Sequence, residues 1–215
     1  MAHVSMAGLT TMQKYWLVTG SVGPRPIALV TSCTADGFCN AAPYSAFNYM
    51  GEEPPLMAIA VDRYGEESHR LDETKDTLNN IRTRREFVVN MVDEAIVDRA
   101  VLCGSDFPAD VSEPEAVGFS LAPSGQVSVP RIAEAPIAWE CRLFDQMELV
   151  RRCIVFGEIV AMYFRDDLLD LEKLRVHVDR FAPVGRLGGP TYCRTGDRMR
   201  IPVPTFLPTQ GAPRV

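Results

Sequence analysis

Lys75-Asp76-Thr77 opens a segment, Asp76 to Arg84, whose residue pattern is helical. A helix N-terminus presents unpaired N–H groups at the positive end of the dipole, a lysine adds a full charge and a threonine a hydroxyl, which together suit a phosphate. Asp76 is a poor neighbour for an anion and makes sense as a cap turned elsewhere. By itself the tripeptide fits a capped surface helix with a solvated lysine better. A second stretch, Tyr44-Ser45-Ala46-Phe47-Asn48, is small, polar and aromatic by turns, a composition that suits backbone lying against a flat ligand. Tyr44 reads more simply as core. Thr31, Ser32 and Thr34 carry hydroxyls at the end of a β-branched run, with Cys33 among them as a neighbour rather than a nucleophile. His177 has the best case among the histidines for moving a proton near neutral pH, while His69 lies in a polar stretch and His3 near the start. Neither a Ser-His-Asp order nor a pair of carboxylates stands out, so hydrolysis is not indicated. The six cysteines have no C-x-x-C pair or zinc-ligand spacing, so no metal is expected.

These residues must be held by the elements around them. Ile27 to Cys33 has the composition of a buried strand, Thr34 to Gly37 supplies a turn, and Phe38 to Ala42 can return antiparallel. Pro43 cannot donate to a ladder, so pairing there stops or moves to an edge. Leu56 to Val61 is a continuous apolar run of strand length, followed by a polar surface loop over 62–73. In the helix from Asp76 to Arg84, Leu78 and Ile81 share a face, and Asp76 or Thr74 would cap it. Phe87 to Val92 reads as a strand, and Asp93 caps a short helix ending at Leu102. From Gly104 to Pro130 the chain crosses the surface, with a helical turn near Glu113–Val117. Ile137 to Phe144 and Cys153 to Phe164 are the last long strands, joined across 145–152. In WECRLF, Glu140 and Arg142 alternate with apolar residues as if on a wet face. Asp179 to Tyr192 returns to loop chemistry. The organisation is a lead-in over 1–13, one domain over 14–200 and a proline-rich tail over 201–215. Short strands outnumber helices, which predicts a mainly β fold: a β-barrel, antiparallel and nearly closed, with peripheral helices.

Length and composition narrow the function classes. At 215 residues the chain supports one domain with a substantial core. A formal net charge of −6 argues against a nucleic-acid partner. No apolar run approaches a membrane span, and the N-terminus lacks the basic and apolar regions of a signal peptide. The expected compartment is the cytoplasm, with the cysteines as reduced, mostly buried thiols.

Four strings, taken in order, point further. PRPIALVTS with DG and N-x-APYSxFN, then PP-L-MAIAV at 54–61, KDTLNNI with EFVVN at 75–90, and PVGRLGGPTY at 183–192 resemble the flavin reductase-like family of FMN-binding split barrels. The resemblance covers roughly residues 15 to 195. It implies an FMN-dependent oxidoreductase in which hydride passes from NADH or NADPH to flavin and electrons leave to a second acceptor. That acceptor could be free flavin, oxygen through a partner monooxygenase, or a metal complex. It also implies a homodimer with flavin near the subunit interface. Residue by residue, it places Thr31, Ser32, Cys33 and Thr34 along the ribityl–phosphate side, and Ser45, Ala46, Phe47 and Asn48 against the isoalloxazine. Arg63, Lys75, Asp76 and Thr77 fall at the phosphate, and Arg186 and Tyr192 at flavin or nicotinamide. Arg25 is a weaker phosphate candidate. A non-enzymatic FMN-binding module or electron carrier would share the same flavin contacts, while a pyridoxamine-phosphate oxidase-like barrel fits the strings less well. GRLGG lacks the strand–turn–helix context of a dinucleotide fingerprint.

Overall fold

The run after Pro26 becomes the spine of the fold. It forms β1 (Ala28–Cys33), every residue of which is buried. The computed structural model describes residues 1–65, 70, 73–108 and 111–201. Around β1 lie β2 (Cys39–Tyr44), β3 (Phe47–Glu52), β4 (Pro55–Asp62), β5 (Glu86–Met91), β6 (Leu121–Ala122), β7 (Arg131–Ile132), β8 (Ile137–Glu148) and β9 (Arg152–Phe164). Short pairs β10 (Leu169–Asp170) with β11 (Arg175–Val176), and β12 (Val184–Arg186) with β13 (Tyr192–Arg194), complete the strands. The helices are α1 (Thr11–Ser21), α2 (Asp76–Arg84), α3 (Val97–Leu102) and α4 (Glu113–Ala116).

Seven strands form one antiparallel sheet in the order β2-β1-β5-β8-β9-β4-β3. Its two edge strands are consecutive in the chain and are joined only through Ser45 and Ala46. Tyr44 at the end of β2 and Phe47 at the start of β3 enter the same apolar core as Met57, Ile59, Phe87 and Val155, so the sheet rolls into a barrel. From α2, Leu78 and Ile81 join that core, as their shared face predicts. β1 is buried on its other face too. There Leu29 and Ile27 pack with Val92, Ile96 and Ala100, which belong to the chain leading into and through α3. The interior is close-packed enough to require glycine at position 157, where a Cβ would run into the Phe87 ring and meet Met57 Sδ at 3.0 Å.

Several expectations need correction. Thr11–Ser21 is a helix that begins inside the expected lead-in and runs on into the domain, and a capping box between Thr10 and Gln13 starts it. Phe47–Glu52 is a strand whose solvent-facing positions hide its period. β8 and β9 extend to Glu148 and from Arg152, so a tight hairpin replaces the polar link. The glycine-rich 184–194 region folds back as the β12–β13 ladder. α2 is preceded by Lys75 at the cap position, without a side-chain cap. Glu140 is fully buried rather than wet: it accepts hydrogen bonds from the backbone N–H groups of Gly125, Gln126 and Val127 at 2.8, 2.5 and 3.0 Å. Three donors offset the desolvation of one carboxylate and anchor the surface excursion to the barrel. Cys33 and Cys39 are disulfide-bonded rather than free, because the hairpin register sets them opposite each other with Cα atoms 4.2 Å apart. The other cysteines are free thiols. His69 and the tail from residue 202 lie outside the described residues.

Candidate functional site

The open side of the β2 edge carries the polar chemistry. Pro43 keeps β2 at the sheet edge, where a missing N–H is tolerated. α2 begins beside that edge, its first turn lacking a side-chain cap, and Lys75, Asp76 and Thr77 line an open cleft of about 1100 Å³. Arg63 and Arg151 line it as well, and the backbone N–H of Arg63 donates to the Arg151 carbonyl at 3.1 Å. Arg152, a further lining residue, pairs with Asp62.

Each group at the helix start has a distinct environment. Arg70 donates to both carboxylate oxygens of Asp76, at 2.7 and 2.8 Å. That fork holds the Asp76 carboxyl below the usual carboxylate range, against an opposing effect of burial. The charge of Asp76 is thus matched by Arg70, which offsets the repulsion expected toward an anion. Tyr64 donates to the same carboxylate at 3.1 Å, and burial pushes its hydroxyl up to about 12. Lys75 Nζ lies 5.1 Å from the Tyr64 ring centroid. Thr77 is 2 % exposed, and its hydroxyl donates to Asn40 Oδ1 at 3.2 Å. What Thr77 presents to the cleft is therefore mainly its position in the uncapped turn.

Asn40, Glu113 and Tyr64 share this cleft and were not singled out in the sequence. Asn40 Nδ2 donates to Glu113 Oε1 at 2.7 Å, and the Ala41 N–H donates to Oε2 at 3.3 Å. Burial raises the Glu113 carboxyl despite these bonds. Asn40 stood inside the N-x-APYSxFN string, so its signal was present. Glu113 sits in a short turn with no local pattern to betray it.

A second, smaller pocket of about 220 Å³ adjoins the first and shares Pro43 and Gly104 with it. Ser45, Arg186 and Tyr192 meet there, drawn from the β2–β3 connection and the β12–β13 ladder. The geometry accordingly gathers Lys75, Asp76, Thr77 and Arg63 on one side of the Pro43–Gly104 wall, and Ser45, Arg186 and Tyr192 on the other.

The remaining predicted residues are placed in the framework. Thr31 and Ser32 are fully buried: Thr31 donates to the Pro130 carbonyl at 2.7 Å, and Ser32 accepts from Asn80 at 3.2 Å. Cys33 is in the disulfide, and Thr34 Oγ1 accepts from the Phe38 N–H at 3.1 Å to close the turn. Phe47 packs on Trp139 with centroids 5.7 Å apart inside the barrel. Ala46 is exposed and its carbonyl accepts from the Ala60 N–H at 2.9 Å, while Asn48 Oδ1 accepts from the Tyr49 N–H. Arg25 donates to the carbonyls of Thr19, Val22 and Leu187, tying α1 to the β12–β13 turn. His177 lines neither pocket, and its backbone N–H donates to the Leu168 carbonyl. Among the described residues no cluster of His, Cys, Asp and Glu is arranged to hold a metal, and no helix is long and apolar enough to cross a membrane.

Comparison with known proteins bears on this arrangement. The family model described as a flavin reductase like domain matches residues 21–184. The solved structure of 2-nitrobenzoate 2-nitroreductase NbaA from Pseudomonas fluorescens is 65 % identical, with a TM-score of 0.87 over 98 % of this chain and 100 % of its own. Nitrilotriacetate monooxygenase component B from Bacillus cereus is 32 % identical, with a TM-score of 0.86 over 94 % of this chain and 98 % of its own. An FMN-binding protein from Thermus thermophilus shares the fold at 18 % identity, with a TM-score of 0.72 over 94 % of this chain and 99 % of its own.

Proposed function

The chain belongs to the flavin reductase-like family, and we propose that it is an FMN-dependent reductase that draws hydride from NADH or NADPH and delivers electrons to an aromatic nitro acid. One observation carries the flavin part: an uncapped helix start with a lysine beside it opens into a cleft of about 1100 Å³, wide enough for a flavin and adjoining a smaller, largely apolar pocket. The likeness at 65 % identity to a 2-nitrobenzoate 2-nitroreductase supports the choice of acceptor. Bound flavin would supply the hydride chemistry; the chain's own residues bind and orient it.

In this reading Lys75, Arg63 and the first-turn N–H groups of α2 hold the phosphate, with Asp76 neutralised by Arg70 and Thr77 fixing the turn through Asn40. Ser45 and Ala46 lie along the ring, and Arg186 and Tyr192 stand beyond it, in the smaller pocket. Thr31, Ser32, Cys33, Thr34, Phe47 and Asn48 support the walls from behind. No role falls to His177.

The protein acts as a homodimer in this proposal. α1 has eleven residues and buries none of them, and Met12, Trp16, Leu17 and Val18 are exposed on it. An isolated helix shorter than ~12–15 residues is marginal in water, so a second copy of the chain is the natural cover. Thr11, Met12 and Tyr15 also line the cleft, which supports a contact beside the site.

The test is anaerobic spectroscopy. The FMN-loaded protein should bleach on adding NADH or NADPH, and its absorbance should return on adding 2-nitrobenzoate. Flavin that binds but is reduced by neither nucleotide would instead mean a non-enzymatic carrier. Reduction without reoxidation by the nitro acid would favour delivery of reduced flavin to a partner monooxygenase, as the name of the 32 % identical relative suggests.

A further inference from the structure

The smaller pocket has a composition of its own. Apart from Ser45, Arg186 and Tyr192 its walls are apolar or glycine, with Ile27, Val92 and Ala100 deepest. No carboxylate lines it, although the chain as a whole carries a net charge of −6. Arg186 is the pocket's cation. Its guanidinium donates to the Gly189 carbonyl, at 3.3 and 3.4 Å, and stands 5.8 Å from the Tyr192 ring centroid. Among the described residues no acid pairs with it. The acids on the neighbouring segment are already engaged, Asp93 facing Arg165 at 3.6 Å and Glu94 facing Arg194 at 3.2 Å.

Size sharpens the match. About 220 Å³ lies below the ~300–1,000 Å³ of sites for drug-sized ligands. A whole nicotinamide dinucleotide does not fit; a single substituted ring does. An arginine fork over an apolar slot selects a planar carboxylate, because two parallel N–H donors match two carboxylate oxygens.

We propose that this pocket binds a single-ring aromatic carboxylate, with Arg186 taking the carboxylate and Ile27, Val92 and Ala100 taking the ring. The assignment rests on the proposed reaction, for which it names the acceptor subsite and its specificity residue. Ser45 stands at the mouth, where a polar ring substituent would face the shared Pro43–Gly104 wall and hence the flavin side.

The experiment measures equilibrium binding to the FMN-loaded protein, by calorimetry and without nucleotide, for benzoate, 2-nitrobenzoate and nitrobenzene. Arg186→Met keeps the aliphatic stem and removes the fork; Val101→Trp fills the rim from a position that is 43 % exposed. Arg186→Met should weaken both carboxylates by about tenfold to a hundredfold and nitrobenzene by less than about twofold, the range for one charged hydrogen-bonded contact. Val101→Trp should weaken all three ligands. The assignment is overturned if the wild type binds no carboxylate, if Arg186→Met weakens charged and neutral ligands equally or not at all, if it releases FMN, or if Val101→Trp leaves benzoate binding intact. Because nothing turns over in this assay, it separates from the reaction itself. Selective binding without nitro reduction would sink the proposed reaction and leave the pocket standing, and the reverse result would sink the pocket alone.

Discussion

Replacing Lys75 by alanine tests the phosphate end of the site. The lysine is half-buried beside an uncapped helix start, with its ammonium 5.1 Å from the Tyr64 ring centroid. A hydrogen bond to a charged group contributes about 1.5–3 kcal/mol. Moving the ammonium from the ring to a phosphate gives up a cation–π contact of about 0.5–1 kcal/mol. The net is about 0.5–2.5 kcal/mol, so FMN affinity should fall roughly twofold to seventyfold. Asp76 adds little repulsion, since Arg70 holds both of its oxygens. Riboflavin carries the same ring without a phosphate, and its affinity should stay within about twofold, the null expectation for a group that touches only phosphate. Fluorescence titration of both flavins into both proteins reads the difference directly. Equal losses for the two would place Lys75 at the ring or in the framework. No loss for either would return it to a solvated surface charge.

Three further outcomes follow from the packing. Light scattering should give about twice the 23.8 kDa chain mass, and Trp16→Glu on the exposed face of α1 should shift it toward a monomer with weakened FMN binding; a monomeric wild type with full FMN affinity refutes the shared site. Gly157→Ala should destabilise the barrel by about 1–3 kcal/mol in denaturant unfolding, because its methyl group meets Phe87 and Met57 in a filled core; an unchanged midpoint would mean that the core gives way freely. Asp76 and Glu113 should respond to acid in opposite senses. The depressed Asp76 carboxyl stabilises above the ordinary carboxylate range and loses that contribution as pH falls through its own lower value, so the thermal advantage of wild type over Asp76→Asn should shrink in acid. The raised Glu113 carboxyl is favourable when protonated and loses that as pH rises through its raised value, so Glu113→Gln should gain on wild type toward neutral pH; parallel curves in either pair would refute the assignment.

Much of this could be read from the sequence where local and tertiary demands agree. α2 begins and ends where its pattern places it, because Leu78 and Ile81 are both its apolar face and a plug in the barrel. β1, β4, β5, β8 and β9 stand near their apolar runs for the same reason. β3 escaped because Asn48, Tyr49 and Met50 face outward and leave only Phe47 buried, so no alternation survives. α1 escaped because it buries nothing at home and therefore has no clean stripe. Glu140 looked wet because its partners are backbone N–H groups 13–15 residues away, which a side-chain pattern does not record. At the site, the resemblance set Lys75, Ser45, Thr31 and Ser32 around a flavin, and the fold brings Lys75 and Ser45 to the two pockets. The strand of Thr31 and Ser32 is covered on both faces, and their hydroxyls bond Pro130 and Asn80, partners that no local pattern records.

The position of the site follows from one residue type at the sheet edge. Pro43 has no N–H to give, so β2 can pair with β1 on one side only and the sheet must end there. An edge left bare invites pairing with another chain, and here α3 and α4 pack over β2 instead. Covering a strand with helices rather than with another strand leaves a gap above the proline ring. Gly104, just beyond α3, approaches that ring so closely that a Cβ would meet Pro43 Cγ at 3.2 Å and the Val101 carbonyl at 3.1 Å. This contact divides the gap into a wide polar cleft under α2 and a narrow apolar pocket under α3. The wide cleft suits a ligand with an anionic end, and the narrow pocket a single small ring beside it. The same proline that ends the sheet thereby sets where the barrel opens and which chemistry each half of the opening can hold.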